Sequence, residues 1–183
     1  MMQSNTNEAF LNWYEPIHNR FIRYCSSVSY GILETEDLAQ EAIMATLQNY
    51  HRISDKNKLR NYMIGIVRNV VNNQRRRNKF HANWEEDLLN KLKSATQNAE
   101  VAVDIQFLLN AMDKLPAKQK EAVLLFEVSG FSMKEISRIQ DSSLTATKTR
   151  ISRGRKQLKE LSSEDTSKAS LTNRLTAFAS ILL

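Results

Sequence analysis

Two clusters of cationic and polar side chains have the makings of a polyanion-binding surface. Between Leu59 and Lys79, Asn61, Arg68, Asn72 and Arg75 share one side of a helical projection, with Asn69 and Arg76 on the flank beside Tyr62. Cations hold phosphates, amides read base edges and a ring stacks on a base, so this mixture suits a nucleic-acid strand. Nearer the C-terminus, Thr145, Thr149, Arg153 and Lys156 form a second polar face, flanked by Lys148, Arg150 and Arg155. A third cluster is acidic: Asp37, Gln40, Glu41, Met44 and Gln48 lie on one side of 36–50 at 100° per residue. A thioether inside an acidic stripe suits a contact with another protein.

Other chemistries find little to work with. Cys25 is the only cysteine, which excludes an internal disulfide and a multi-thiolate metal site. His18, His51 and His81 are scattered, and no Gly-rich phosphate loop is present. Asp37 and Glu41 are one helical turn apart, but no second acidic motif accompanies them to gather divalent ions. The expectation is a protein with no catalytic residues, no metal and no cofactor. The first residues, MMQSNTNEAFLNWYEP, lack the basic start and apolar core of a signal peptide. No apolar run reaches the roughly 18 residues of a membrane-spanning helix, so a cytoplasmic chain without membrane insertion is expected.

Charge divides into blocks. Of the 183 residues, 1–50 carry a net −4, 51–81 a net +8, 82–113 a net −4 and 114–160 a net +6. Two basic blocks separated by acidic stretches suggest two contact surfaces on one polyanion.

The elements that position these clusters are helical. Four Gly and two Pro are too few turn-formers for an all-β chain of this length. From Asn7 to about Val28, Phe10, Trp13, Tyr14, Ile17, Phe21 and Tyr24 recur at three and four residues as one apolar helical face. Thr35 is the expected N-cap of a helix reaching about Tyr50, with Ala39, Ala42, Ile43, Thr46 and Leu47 on its inner side. HRISDKNK (51–58) reads as a polar loop. The helix 59–79 then turns Leu59, Tyr62, Met63, Ile66, Val67 and Val70 toward the core.

Residues 80–100 read as a linker, with a transient helix around Trp84 to Leu92. Helices over about 100–115 and Ala117 to Ser129 follow, the second ended by Gly130. Ser132-Met-Lys-Glu135 is a capping box for a short helix to Gln140. A helix from Leu144 to about Leu161 comes next, with Leu144, Thr147, Ile151, Leu158 and Leu161 as its expected buried stripe. Short helix, tight turn and basic helix make a helix-turn-helix, whose second helix enters the major groove; a plain helical hairpin stays open on spacing alone. In the tail, Leu171, Leu175, Phe178 and Leu182 give a short amphipathic helix that docks on its own domain, binds a partner or frays.

Taken together, the halves resemble the extracytoplasmic-function group of sigma factors, in the sigma-70 family of bacterial RNA polymerase. TEDLAQEAIMATLQNY (35–50) is similar to that family's core-binding helix, usually EDLxQExF. LRNYMIGIVRNVVNNQRRR (59–77) is similar to its promoter −10 helix, and 115–158, from LPAKQK to RGRKQL, to its −35 helix-turn-helix. The resemblance runs over about 10–160 in the family's order. Tyr62 stands where Trp is usual, Asn72 for Asp, Asp141 for the turn Gly, Ser142 for an apolar residue and Thr147 for Val. Those last three polar replacements predict a looser −35 module or a re-angled recognition helix.

The resemblance implies an all-α fold of two small helical domains joined by a flexible linker. Its divisions are 1–79 for core binding and −10 recognition, 80–100 as linker, 101–161 for −35 recognition and 162–183 as tail. It implies that Asp37, Gln40, Glu41 and Met44 dock on core RNA polymerase at the β′ clamp helices, with the β flap as a further contact. Asn61, Tyr62, Arg68, Asn69, Asn72, Arg75 and Arg76 would take the −10 element as opened strand, with a base flipped into a pocket bordered by 51–58 and Asn69. Lys148, Thr149, Arg150, Ser152, Arg153 and Arg155 would read the −35 element as duplex. The linker would thread near the polymerase active centre, and an anti-sigma factor is an implied partner. A conventional helix-turn-helix regulator, binding duplex DNA without polymerase, is the alternative; it leaves the 36–48 and 59–77 patterns unexplained.

Overall fold

The computed structural model describes residues 2–53, 55–78, 90, 92–94, 98–163 and 170–181. Among these residues every regular element is helical. The N-terminal apolar face forms, but as two helices: α1 (Met2–Tyr14) and α2 (His18–Ser29), joined by a 3₁₀ turn, Glu15–Ile17. Pro16 offers no N–H and its ring crowds the preceding turn, which is why the helix breaks there. The face itself is continuous, since Phe10, Trp13, Tyr14, Ile17, Phe21 and Tyr24 are all buried. Gly31, at φ +72°, makes the turn after α2.

α3 (Thr35–Gln48) begins one residue earlier than expected, with Glu34 rather than Thr35 at the cap position. The Thr35 hydroxyl is instead 3.2 Å from the Ser29 hydroxyl, tying α3 to the end of α2. Leu38, Ala39, Ala42 and Thr46 are buried and the acidic side is exposed. A 3₁₀ turn, Tyr50–Arg52, shortens the polar loop, and α4 (Lys56–Asn78) starts three residues before Leu59. Leu59, Met63, Ile64, Val67 and Val71 are its buried residues; Tyr62 is exposed rather than core-facing.

In the C-terminal half, the Asn98 side chain accepts the N–H groups of Glu100 and Val101 and so caps α5 (Ala99–Asp113). After Pro116, α6 (Ala117–Val123) runs into a π-helical turn, Leu124–Val128. There the Ser129 N–H donates to the Leu124 carbonyl at 3.0 Å, and Gly130 at φ +73° ends the element as expected. α7 (Met133–Ile139) opens on the full capping box of Ser132 and Glu135. α8 (Leu144–Ser163) buries Thr147, Ile151 and Leu158, whereas Leu144, expected in that stripe, is exposed at the start of the helix. Gly154 completes the stripe: a Cβ there would sit 2.7 Å from Val123 Cγ2, so α6 and α8 approach where no side chain intervenes.

Two apolar clusters hold the molecule together. The first crosses between the halves, with Phe21, Tyr24, Met63 and Ile64 on one side and Leu125, Phe131, Ile136 and Ile139 on the other. The second holds α5 and α6 with Leu158 of α8 and the tail helix α9 (Leu171–Ile181). Leu175 and Phe178 of the tail are buried, Phe178 meets the Tyr30 ring edge-on at 5.9 Å, and Arg174 reaches Asp104 at 3.4 Å. Of the three options for the tail, docking is the one observed; Leu182 lies outside the described residues. So does most of the 80–100 segment, including 84–89 of the helix expected around Trp84 and the whole acidic patch, while Asn90 and Leu92 at its end are helical and Leu92 is buried.

Candidate nucleic-acid interface

The helix-turn-helix geometry is built from its corner. α7 ends in a Schellman arrangement: the Ser142 N–H donates to the Ser137 carbonyl at 2.8 Å and the Asp141 N–H to the Arg138 carbonyl at 3.3 Å. Asp141 takes the left-handed conformation there, at φ +45°, which a short polar side chain tolerates better than most. Ser143 then accepts the Ala146 N–H and opens α8. The two polar replacements that follow pair with each other, the Ser142 and buried Thr147 hydroxyls being 3.1 Å apart. A hydrogen-bonded pair fills the place of an apolar contact, so the turn closes without an orphaned hydroxyl.

Lys148, Thr149, Ser152 and Arg153 are exposed on the outer face of α8. The two other residues expected to face DNA make contacts within the molecule, Arg155 while staying half exposed. Arg150 donates to the Gln140 side chain at 2.8 Å. Arg155 pairs with Glu127 and lies over the Phe126 ring.

α4 carries two parallel stripes, each repeating every seven residues. Tyr62, Asn69 and Arg76 are exposed, and so is Asn72 between the stripes. The neighbouring stripe contacts the C-terminal half. Asn61 donates to the Arg138 carbonyl at 2.7 Å, Arg68 to Glu121 at 2.8 Å and Arg75 to Asp113 at 3.3 Å. Asn61, Arg68 and Arg75 thus lie away from the N-terminal core, as their spacing predicts, and they also pair toward α5, α6 and α7, with Arg68 still exposed. A cleft of about 430 Å³ lies along this joint, bordered by Tyr24, Arg68, Asn72, Arg75, Glu121 and Gln140.

A second clasp was not visible in the sequence. Glu135 takes Arg20 at 3.1 Å and Arg60 at 3.1 Å while its own helix cap is intact. Burial alone would raise the Glu135 carboxyl, but the Ser132 N–H and hydroxyl, then Arg20 and Arg60, outweigh it and hold it below its ordinary value. Arg20 also stacks over Phe131 at 4.9 Å. At the other end of the joint, burial lowers the Lys120 ammonium, as does Arg75, against the opposing pull of Asp113. The Cys25 thiol is fully buried and burial pushes it up, which leaves it inert. Asp37, Gln40, Glu41 and Met44 stand exposed together on α3, Met44 at 60 %. None of the described helices is long and apolar enough to cross a membrane.

Comparison with known proteins follows the same division. Residues 9–81 match the family model for sigma-70 region 2, and residues 106–158 the model for sigma-70, region 4. The chain is 25 % identical over 138 residues to the ECF RNA polymerase sigma factor EcfG of Rhodopseudomonas palustris, covering 75 % of this chain and 76 % of that one. It is 28 % identical over 126 residues to the RNA polymerase sigma factor SigZ of Bacillus subtilis, covering 69 % and 71 %. Its fold resembles that of the sigma factor RpoE from Bartonella quintana, solved in complex with the anti-sigma factor NepR. That match has a TM-score of 0.58 at 23 % identity, over 86 % of this chain and 99 % of the other.

Proposed function

This chain belongs to the sigma-70 family, in its extracytoplasmic-function group, and from that premise we propose how its residues divide a sigma factor's work. It binds core RNA polymerase and directs initiation at promoters. The observation that carries the division is the order of three polar faces on one chain: the acidic stripe of α3, the strand-reading stripes of α4 and the outer face of α8. The conventional-regulator alternative leaves the first two without a role.

In this reading Asp37, Gln40, Glu41 and Met44 dock on the polymerase, at its β′ clamp helices, with the β flap as a second contact. Replacing Asp37 and Glu41 together by Lys should abolish co-elution with core polymerase on gel filtration while the helical circular-dichroism signal is kept, since both side chains are exposed. Co-elution unchanged from wild type would remove this face from the interface. Tyr62, Asn69, Asn72 and Arg76 meet the opened −10 strand first, with a flipped base between Asn69 and 51–58; stacking and hydrogen bonds offset the cost of unstacking. Asn61, Arg68 and Arg75 join them once the C-terminal half moves off α4. The closed arrangement is thus a resting form, in which the −10 face is half covered.

Lys148, Thr149, Ser152 and Arg153 read the −35 duplex, and Arg150 and Arg155 support them. Arg153→Ala should weaken −35 binding by about 1–3 kcal/mol and relax base preference at one position. Unchanged affinity and preference in a competition assay would take Arg153 off the reading face. No catalytic residue, metal or cofactor is assigned, because the work of this family is recognition of DNA. A cytoplasmic location follows from a partner that transcribes DNA. An anti-sigma partner is proposed by analogy with the Bartonella complex, and 1–79, 80–100, 101–161 and 162–183 are the working divisions.

A further inference from the structure

A chain of hydrogen bonds crosses the molecule from α4 to α8. Arg68 donates from Nε and Nη2 to Glu121 Oε1, each at 2.8 Å, and the Tyr24 hydroxyl donates to the same oxygen at 3.2 Å. Glu121 Oε2 accepts from Gln140 Nε2 at 3.0 Å, and Gln140 Oε1 accepts from Arg150 Nη1 at 2.8 Å. Gln140 Nε2 also donates to the Lys118 carbonyl at 2.9 Å, so both ends of this buried amide are engaged. The amide suits this place: it offers a donor to the carboxylate on one side and an acceptor to the guanidinium on the other. Neither Glu121 nor Gln140 was singled out by the sequence as functional.

We propose that Glu121 and Gln140 are positioning residues that couple the strand-reading helix α4 to the recognition helix α8. This rests on the sigma-factor reading and adds regulation within the chain to it. Arg68 and Arg150 stand at the two ends of the relay, one on each DNA-reading helix. When a phosphate draws Arg150 outward, Gln140 Oε1 is left as a buried acceptor without its donor, a state that costs free energy. The closed joint bears that cost, Glu121 loses its fixed partner, and Arg68 is released for the −10 strand. Coupling of this kind is reciprocal, so strand binding at Arg68 loosens Arg150 by the same factor.

The test uses the full chain without polymerase and a labelled pool of random-sequence single-stranded DNA. Glu121→Gln, Gln140→Met and Arg150→Met should each bind the single strands more tightly than wild type, by about fivefold or more. Combining Glu121→Gln with Gln140→Met should add little, because both cut one relay. Arg150→Met is the decisive arm: it removes a positive charge, so bare electrostatics or a merely structural role would weaken binding, while the relay requires tightening. Circular dichroism checks the fold, and Glu121→Gln is the mildest of the three variants in case the other two fail to fold: it keeps the side chain's shape and an acceptor for Arg68 and Tyr24, and sets an amide donor against Gln140 Nε2. Unchanged or weakened binding in the folded variants would overturn the relay. Run-off transcription by the wild-type chain reports on the sigma-factor reading independently, so the two can fail separately.

Discussion

Glu135→Ala should open the joint between the halves and shift the closed population by about tenfold or more. Breaking a fully buried ion pair costs about 3–5 kcal/mol, whereas an exposed pair contributes about 1 kcal/mol or less. Glu135 and Arg20 keep 19 % and 28 % of their side-chain surface in water, which places this half-buried clasp between the two, at about 1.5 kcal/mol after screening. About 1.4 kcal/mol corresponds to one decade in an equilibrium. The alanine variant also loses the cap of α7, worth about 1 kcal/mol. Glu135→Gln separates the two effects, since Gln still closes a capping box but carries no charge.

Single-molecule energy transfer between dyes on the exposed Asn19 of α2 and Lys159 of α8 would read the opening directly. Transfer should fall for both variants, further for alanine; unchanged transfer in both would mean that the clasp does not hold the halves. Acid should act in the same direction. The Glu135 carboxyl titrates below its ordinary value in the closed form, so its contribution is complete above pH 4.5 and is lost as pH falls through that lowered value.

Phe178→Ala should cost about 3–5 kcal/mol of stability, as expected for a fully buried ring replaced by a methyl group. Phe178 is 0 % exposed on the second apolar cluster and its ring meets Tyr30 of the N-terminal half. The tail helix, beyond the residues matched to the family models, is thereby part of the core of the protein. Thr172→Ala, on the exposed side of the same helix, should change stability by less than about 0.5 kcal/mol. Urea unfolding of both variants checks this; a Phe178→Ala cost as small as that of Thr172→Ala would mean that α9 does not dock in solution.

Periodicity made the helices legible, because each buries one face. The capping box at Ser132, the glycine stop at Gly130 and the left-handed Asp141 are local signals, and each is where the residue types placed it. Long-range pairing was illegible for the same reason. Asn61, Arg68 and Arg75 form a stripe whether the opposite side is water or another helix, and nothing near them in sequence names Arg138, Glu121 and Asp113 as partners. The stripe did carry a clue, two polar rows one residue apart on a helix that needs only one solvated face. Tyr62 went to the exposed row because α4 packs through Ile64 and Val71 instead. Gly154 gave no signal at all, since close approach of α6 and α8 is a property of two segments. Likewise Arg150 and Arg155 read as solvated cations, and nothing near them in sequence names Gln140 and Glu127 as their partners.

This chain programs RNA polymerase to start at its own promoters. Run-off transcription with bacterial core polymerase on a pool of random promoter-like fragments, with and without the chain, tests it most directly. Transcripts that begin only when the chain is present, from fragments sharing elements near −10 and −35, are the predicted result. Identical start sites with and without the chain, together with no complex on gel filtration, would contradict it.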